Sequence, residues 1–77
     1  HQNAVIKYSL TTKTSPNCAV AKEILANQQV VLVDAEDNGD LARKYGVLQA
    51  PTLVVIGDEK AQKYINASNI QKYVDTL

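Results

Sequence analysis

Cysteine is nearly absent from this chain of 77 residues, which carries only Cys18. One thiol excludes a disulfide staple within the chain, and cysteine poverty fits a reducing compartment such as the cytoplasm. Excess charge is absent as well, with eight Lys plus Arg against eight Asp plus Glu. Without a basic stripe there is no electrostatic footprint for nucleic acid. No apolar run approaches the ~18 residues that a membrane-spanning helix needs, and His1-Gln2-Asn3 does not open a signal peptide. Methionine is missing altogether and the first residue is histidine. The expectation is a fragment, or a chain that has lost its first residues, with His1 either a tag remnant or native. Repeats, low-complexity tracts and linkers are missing too, so residues 1–77 are expected to form one domain, either a monomer or part of a larger chain. A domain this small buries roughly 60% of its unfolded surface, so it needs dense packing or partners.

What is present alternates in type. Ala4 to Leu10 predicts a strand, with Val5, Ile6, Tyr8 and Leu10 favouring extended backbone. After a polar loop, Ser15-Pro16 predicts a helix start, serine as N-cap and proline at the first helical position. That helix is expected to run to about Gln28, with Cys18, Ala21 and Leu25 on one face and Ile24 beside it. Val30 to Val33 is a continuous apolar run that suits a central strand covered on both faces. Asp34 to Asn38 reads as an acidic turn. Asn38 or Asp40 then caps a second helix, with Leu41 and Tyr45 spaced i, i+4 and Gly46 as its stop. Thr52 to Ile56 predicts another apolar strand, Gly57-Asp58-Glu59 a hairpin turn, and Lys60 to Asn66 an edge strand. Ser68 is expected to cap a last helix in which Ile70, Tyr73, Val74 and Leu77 share a face. The order is βαβ followed by ββα. With a right-handed parallel crossover in the first half, this gives an α/β architecture: a four-stranded mixed sheet with three helices on its two faces.

Two segments sharpen this reading: Thr14-Ser15-Pro16-Asn17-Cys18 at the first helix, and Lys44 to Leu53, which contains Gln49-Ala50-Pro51. Together they resemble the thioredoxin and glutaredoxin superfamily over nearly the whole chain. In that superfamily a C-x-x-C motif opens the first helix and a cis-proline precedes the third strand. Cysteine at position 15 would make the motif C-P-N-C, close to the C-P-Y-C of glutaredoxins. Gln49-Ala50-Pro51 resembles the Q-A-P of glutaredoxin-like redoxins that reduce ribonucleotide reductase. The wider pattern is most similar to the glutaredoxin-like domain that accompanies anaerobic ribonucleoside-triphosphate reductases.

The resemblance implies a thioredoxin fold and thiol–disulfide exchange, a reaction that begins when a thiolate attacks a sulfur. A helix N-terminus favours the thiolate, so the first motif position is the attacker and the second, one turn on, resolves the mixed disulfide. Those roles fall on Ser15 and Cys18, with Pro16 and Asn17 in the motif loop. Three residues of helix put two such sulfurs within bonding reach. Pro51 is expected to be cis, with Gln49 and Ala50 contacting substrate. A serine hydroxyl does not replace the thiol without a general base, and none is apparent. Ser9 stands where thioredoxins carry a buried aspartate, so that base is absent, as in glutaredoxins; with serine at the attacking position this chain is expected to be inactive in dithiol exchange. Retention of every other position around the motif favours a deliberate cysteine-to-serine replacement over natural divergence.

Bland readings stand beside these. Cys18 also fits a small buried apolar group. Pro51 also fits the first residue of a strand. Lys13 is the cation nearest the motif, yet glutaredoxins carry theirs one residue earlier, where Thr12 stands here. Ala67-Ser68-Asn69 replaces the glycine-rich glutathione motif and reads as a helix cap. Asp34-Ala35-Glu36-Asp37 reads as an ordinary acidic turn, so no metal and no cofactor are implied. The leading function is a thiol–disulfide oxidoreductase domain acting on a protein disulfide, with a ribonucleotide reductase as partner. The alternatives are a non-catalytic module that holds an extended peptide beside Pro51, and a structural domain. The codon at position 15 of the encoding gene would discriminate among them.

Overall fold

The computed structural model describes residues 5–13, 15–57 and 60–77. The elements run β1 (Ile6–Thr11), α1 (Pro16–Ile24), β2 (Val31–Asp34), α2 (Gly39–Lys44), β3 (Thr52–Ile56), β4 (Ala61–Ile65) and α3 (Asn66–Asp75). The strands form one mixed sheet in the order β2-β1-β3-β4. β2 lies parallel to β1, with Tyr8 opposite Val31 and Leu10 opposite Val33. β3 is antiparallel to both its neighbours, with Leu53 opposite Ser9 on one side and Tyr64 on the other.

Alternation along β3 sends neighbouring side chains to opposite faces. Leu53 packs with Ala21 and Leu25 of the α1 segment and Ile70 of α3. Val54 packs with Leu10 and Val33, and that cluster is covered by Leu41, Ala42 and Tyr45 from α2 and its C-cap. The helices therefore divide as α1 and α3 on one face and α2 on the other. Each fully buried Leu or Ile contributes roughly 1.5–3 kcal/mol, and Leu10, Leu53 and Ile70 are all completely buried.

Several boundaries and one strand position differ from expectation. The first strand begins at Ile6 and extends through Thr11; Ala4 lies outside the described residues. α1 ends at Ile24 rather than Gln28, because Leu25 leaves helical geometry and tight turns take over, with the Ala26 N–H on the Glu23 carbonyl and the Gln28 N–H on the Leu25 carbonyl. Val30 to Val33 is not a central strand. β2 is an edge, and Leu32 is 64% exposed. The parallel crossover places it beyond β1, and among the described residues nothing pairs with its outer side.

Asn38 stands at the N-cap of α2 as expected, but its amide donates to the Asp34 carbonyl instead of capping the helix. Gly46 ends that segment with φ +66°, a left-handed conformation that glycine adopts without a Cβ clash. Asp58 and Glu59 of the predicted hairpin turn lie outside the described residues; the turn closes with the Gly57 N–H on the Lys60 carbonyl at 3.0 Å. Ser68 does not cap α3, which starts at Asn66, directly from β4. Asn66 has φ +76° and donates its N–H to the Pro51 carbonyl at 2.9 Å, so the chain turns into the helix three residues early, with Ile65 rather than Ser68 at the N-cap. Leu77, expected on the buried face, is exposed. No helix among the described residues is long and apolar enough to cross a membrane.

The two-faced packing of β3 is open to measurement. Leu53→Ala is expected to cost ~2–5 kcal/mol in urea unfolding, whereas Leu48→Ala, at a position 96% exposed, should stay within about 0.5 kcal/mol. Equal effects would show that the cores are assigned wrongly.

Candidate functional site

Leu10 pairs with Thr52, so the C-terminal end of β1 and the N-terminal end of β3 lie side by side. The loop leaving β1 leads into α1 at this end of the sheet, and Pro51 precedes β3 at the same end. Topology alone thus gathers the start of α1 and the proline segment.

Ser15 occupies the N-cap of α1 with extended backbone, and Pro16 follows at the first helical position. Its carbonyl accepts the Cys18 N–H at 3.1 Å and the Ala19 N–H at 3.3 Å. Its hydroxyl makes no capping bond, contrary to the expectation for a serine there. The side chain is half-buried, and Pro16 and Asn17 are exposed. Cys18 is 1% exposed and unpaired. Its Sγ accepts the backbone N–H of Thr12 at 3.3 Å, and the Thr12 Oγ1 stands 3.7 Å away. Helix geometry turns the sulfur inward, and the loop backbone reaches over it.

The Ala50–Pro51 peptide bond is cis and Pro51 is buried. The Thr52 Oγ1 donates to the Gln49 carbonyl at 2.6 Å, fixing the segment locally. Ala50 is half-buried and Gln49 exposed. A shallow cavity of about 220 Å³ lies between Thr12 and the Leu48-Gln49-Ala50 segment, with Glu36 also in its lining; Ser15, Cys18 and Pro51 do not line it. Thr12 belongs to both halves: it holds the sulfur of Cys18 and forms the cavity wall facing Gln49 and Ala50.

Lys13 does not join this group. Its ammonium lies 3.7 Å from the Asp34 carboxylate and 4.0 Å from that of Asp37. Asp34 in turn accepts the N–H groups of Glu36 and Asp37, so it organises its own turn. Among the described residues no group of three potential metal ligands converges. Asn69 donates its amide to the Ile65 carbonyl within the start of α3. The hydroxyl of Ser9 is fully buried and has no hydrogen-bond partner among the described residues.

No family model matches the chain. No curated protein matches it either. Solved structures do. The oxidised mitochondrial thioredoxin 3 of Saccharomyces cerevisiae superposes with TM-score 0.80 at 21% identity, over 99% of this chain and 81% of its own. A mutant thioredoxin from Halobacterium salinarum gives TM-score 0.79 at 25% identity, over 96% and 72%. The thioredoxin of Trypanosoma brucei brucei gives 0.76 at 21%, over 97% and 76%. The chain has a thioredoxin fold. Within that fold, Ser15 and Cys18 occupy the start of α1 and Pro51 the start of β3, as the sequence resemblance implies.

Two participants escaped sequence reasoning. Thr12 acts through its backbone N–H, a donor that every residue except proline carries. Leu48 leaves a large apolar side chain almost fully in water at the rim of the cavity. An isolated leucine in a loop gives no periodic signal by which to find it.

Burial of Cys18 has a direct kinetic consequence. A thiol reagent is expected to label it at least about a hundredfold more slowly in the native protein than in urea, because access requires opening. Comparable rates in the two states would mean that the sulfur is reached from solvent without opening.

Proposed function

We propose that this chain is a thiol–disulfide oxidoreductase domain whose attacking position carries serine, so that it is inactive in dithiol exchange as it stands. The observation that carries this reading is the joint placement, within a thioredoxin fold, of Ser15 at the N-cap of a nine-residue helix, Cys18 one turn on, and a cis-Pro51 that enters β3 at the same end of the sheet.

With a thiol at position 15, the chemistry balances as follows. The thiolate attacks one sulfur of a substrate disulfide, forms a mixed disulfide and expels the other sulfur as thiolate. Cys18, deprotonated, attacks the sulfur at position 15 and releases the second substrate thiol. The substrate gains two electrons and two protons, and positions 15 and 18 end as a disulfide. The half-buried, helix-capping position 15 supplies the first step, since free N–H groups and the helix dipole favour negative charge there. The Thr12 N–H already directed at the Cys18 sulfur would stabilise negative charge as that sulfur becomes the second nucleophile. Leu48, Gln49 and Ala50 form the surface on which an extended substrate segment would lie. Gln49-Ala50-Pro51 favours a ribonucleotide reductase disulfide as substrate and a cytoplasmic setting, with this domain delivering electrons. The exposed Leu48 and the serine at position 15 favour a second reading, a peptide-binding module without catalysis.

The variant Ser15→Cys separates the two. An oxygen-to-sulfur exchange at a half-buried cap should be accepted by the fold. Mild oxidation is expected to remove two hydrogen masses through a bond between positions 15 and 18, and the reduced variant should reduce insulin disulfides while the Ser15 protein does not. A variant that keeps two free thiols under an oxidant competent for ordinary dithiols would leave the peptide-binding reading in its place.

A further inference from the structure

The two edges of the sheet differ in chemistry: β2 exposes Val31 and Leu32, whereas β4 carries Lys63. In an antiparallel ladder, hydrogen-bonded and non-bonded residue pairs alternate. The Gly57 N–H on Lys60 and the Asn66 N–H on Pro51 mark two bonded positions at the ends of the β3–β4 ladder. Counting inward through the register, Gln62 and Tyr64 bond to Val55 and Leu53. Ala61, Lys63 and Ile65 therefore turn their N–H and C=O groups to the outer side, where among the described residues no strand follows β4 in the sheet. The Asn69 amide takes the Ile65 carbonyl. Among the described residues the remaining outward groups of this strand have no hydrogen-bond partner.

Beside that edge, between β4 and α3, lies a cavity of about 420 Å³ whose lining includes Lys63, Tyr64, Lys72 and Tyr73. The Tyr64 and Tyr73 rings meet at 4.6 Å between centroids and form its apolar wall. The Lys7 ammonium lies 5.4 Å from the centre of the Tyr73 ring. Among the described residues no Asp or Glu lines the cavity, although the chain as a whole has as many acidic as basic residues. Lysines on an edge strand repel a second uncharged or basic strand, which protects against self-association. The Lys63 ammonium donates to the Gly46 carbonyl at 3.1 Å on the α2 face, and Lys72 stands on the α3 face, so a strand that carries carboxylates meets positive charge on either side.

From this edge and cavity we infer a binding site for an extended acidic peptide, which adds to β4 as a fifth strand. Backbone pairing to Ala61 and Lys63 supplies affinity, and alternate side chains supply selectivity. Residues of the added strand that face α3 lie over Tyr64 and Tyr73 with their carboxylates toward Lys72. Because Ile65 pairs with Thr52 and Asn66 bonds to Pro51, the end of this site adjoins the proline segment. The inference stands independently of the roles of Ser15 and Cys18.

The test is a titration of the whole chain with a blocked (Glu-Thr)3 peptide and its (Lys-Thr)3 counterpart, followed by amide and ring NMR shifts. The expected result is a shift of the Ala61, Lys63 and Ile65 amides and the Tyr64 and Tyr73 rings by the acidic peptide alone, with binding weakening as salt rises. Lys72→Glu, at an exposed helix position, should weaken it about fivefold. Ala61→Pro keeps every lysine, removes one outward donor and spares the β3 ladder; it should weaken binding about fivefold. If Ala61→Pro fails to fold, Lys72→Glu carries the decision. Equal binding of both peptides, shifts centred on Leu32 at the opposite edge, or no shifts at millimolar peptide would each overturn the inference.

Discussion

The antiparallel pairing of β1 with β3 is the constraint on which the rest of the structure depends. It sets Leu10 and Val54 toward one face and Ser9 and Leu53 toward the other, so a chain of this size acquires two cores from a single pair of strands. It also decides where chemistry is possible. Because Leu10 lies opposite Thr52, the loop that leaves β1 for α1 and the proline that enters β3 emerge at one end of the sheet. Each half is unremarkable alone: one is a helix cap with a buried thiol, the other a proline before a strand. Thr12, bonded to the Cys18 sulfur and lining the shallow cavity with Gln49 and Ala50, links the two.

Within that site the two motif positions have opposite environments. Position 15 is half in water at the helix end, and position 18 is closed off beneath it, bonded by the loop backbone. A dithiol centre requires this asymmetry, since one sulfur must meet a substrate and the other must wait. The asymmetry is a property of the helix and the loop, not of the atom at position 15. It survives with an oxygen there. On the proposed function the oxygen replaces the nucleophile, and Lys13, the cation next to the motif in sequence, is engaged by Asp34 and Asp37.

The sheet edges follow a parallel logic. β2 carries Val31 and Leu32 into solvent, while β4 carries Lys63, bonded to the Gly46 carbonyl on the α2 face, beside a tyrosine-walled cavity lined by Lys72 of α3 on the other. The apolar run at residues 30–33 invited the reading of a central strand because runs of that kind usually have cover on both faces. Here the run belongs to an edge. Local hydrophobicity measures how much a strand would gain by burial and does not report which neighbours arrive.

The order of elements, the two-sided layering, the stop at Gly46 and the pairing of Ser15 with Cys18 across one helical turn were all legible in the amino-acid sequence. Each rests on local rules: period-two and period-3.6 patterns, the conformational freedom of glycine, and the fixed backbone of proline at a helix start. Tertiary structure alone decided the rest. Asn66, not Ser68, begins α3 because a hydrogen bond to Pro51, fifteen residues earlier, sets the turn. α1 stops at Ile24 although its polar continuation is compatible with helix. Thr12 covers the thiol through a backbone group that has no residue signature. The partner of Asn66 is distant in the chain, and its position is an outcome of packing that no local propensity encodes.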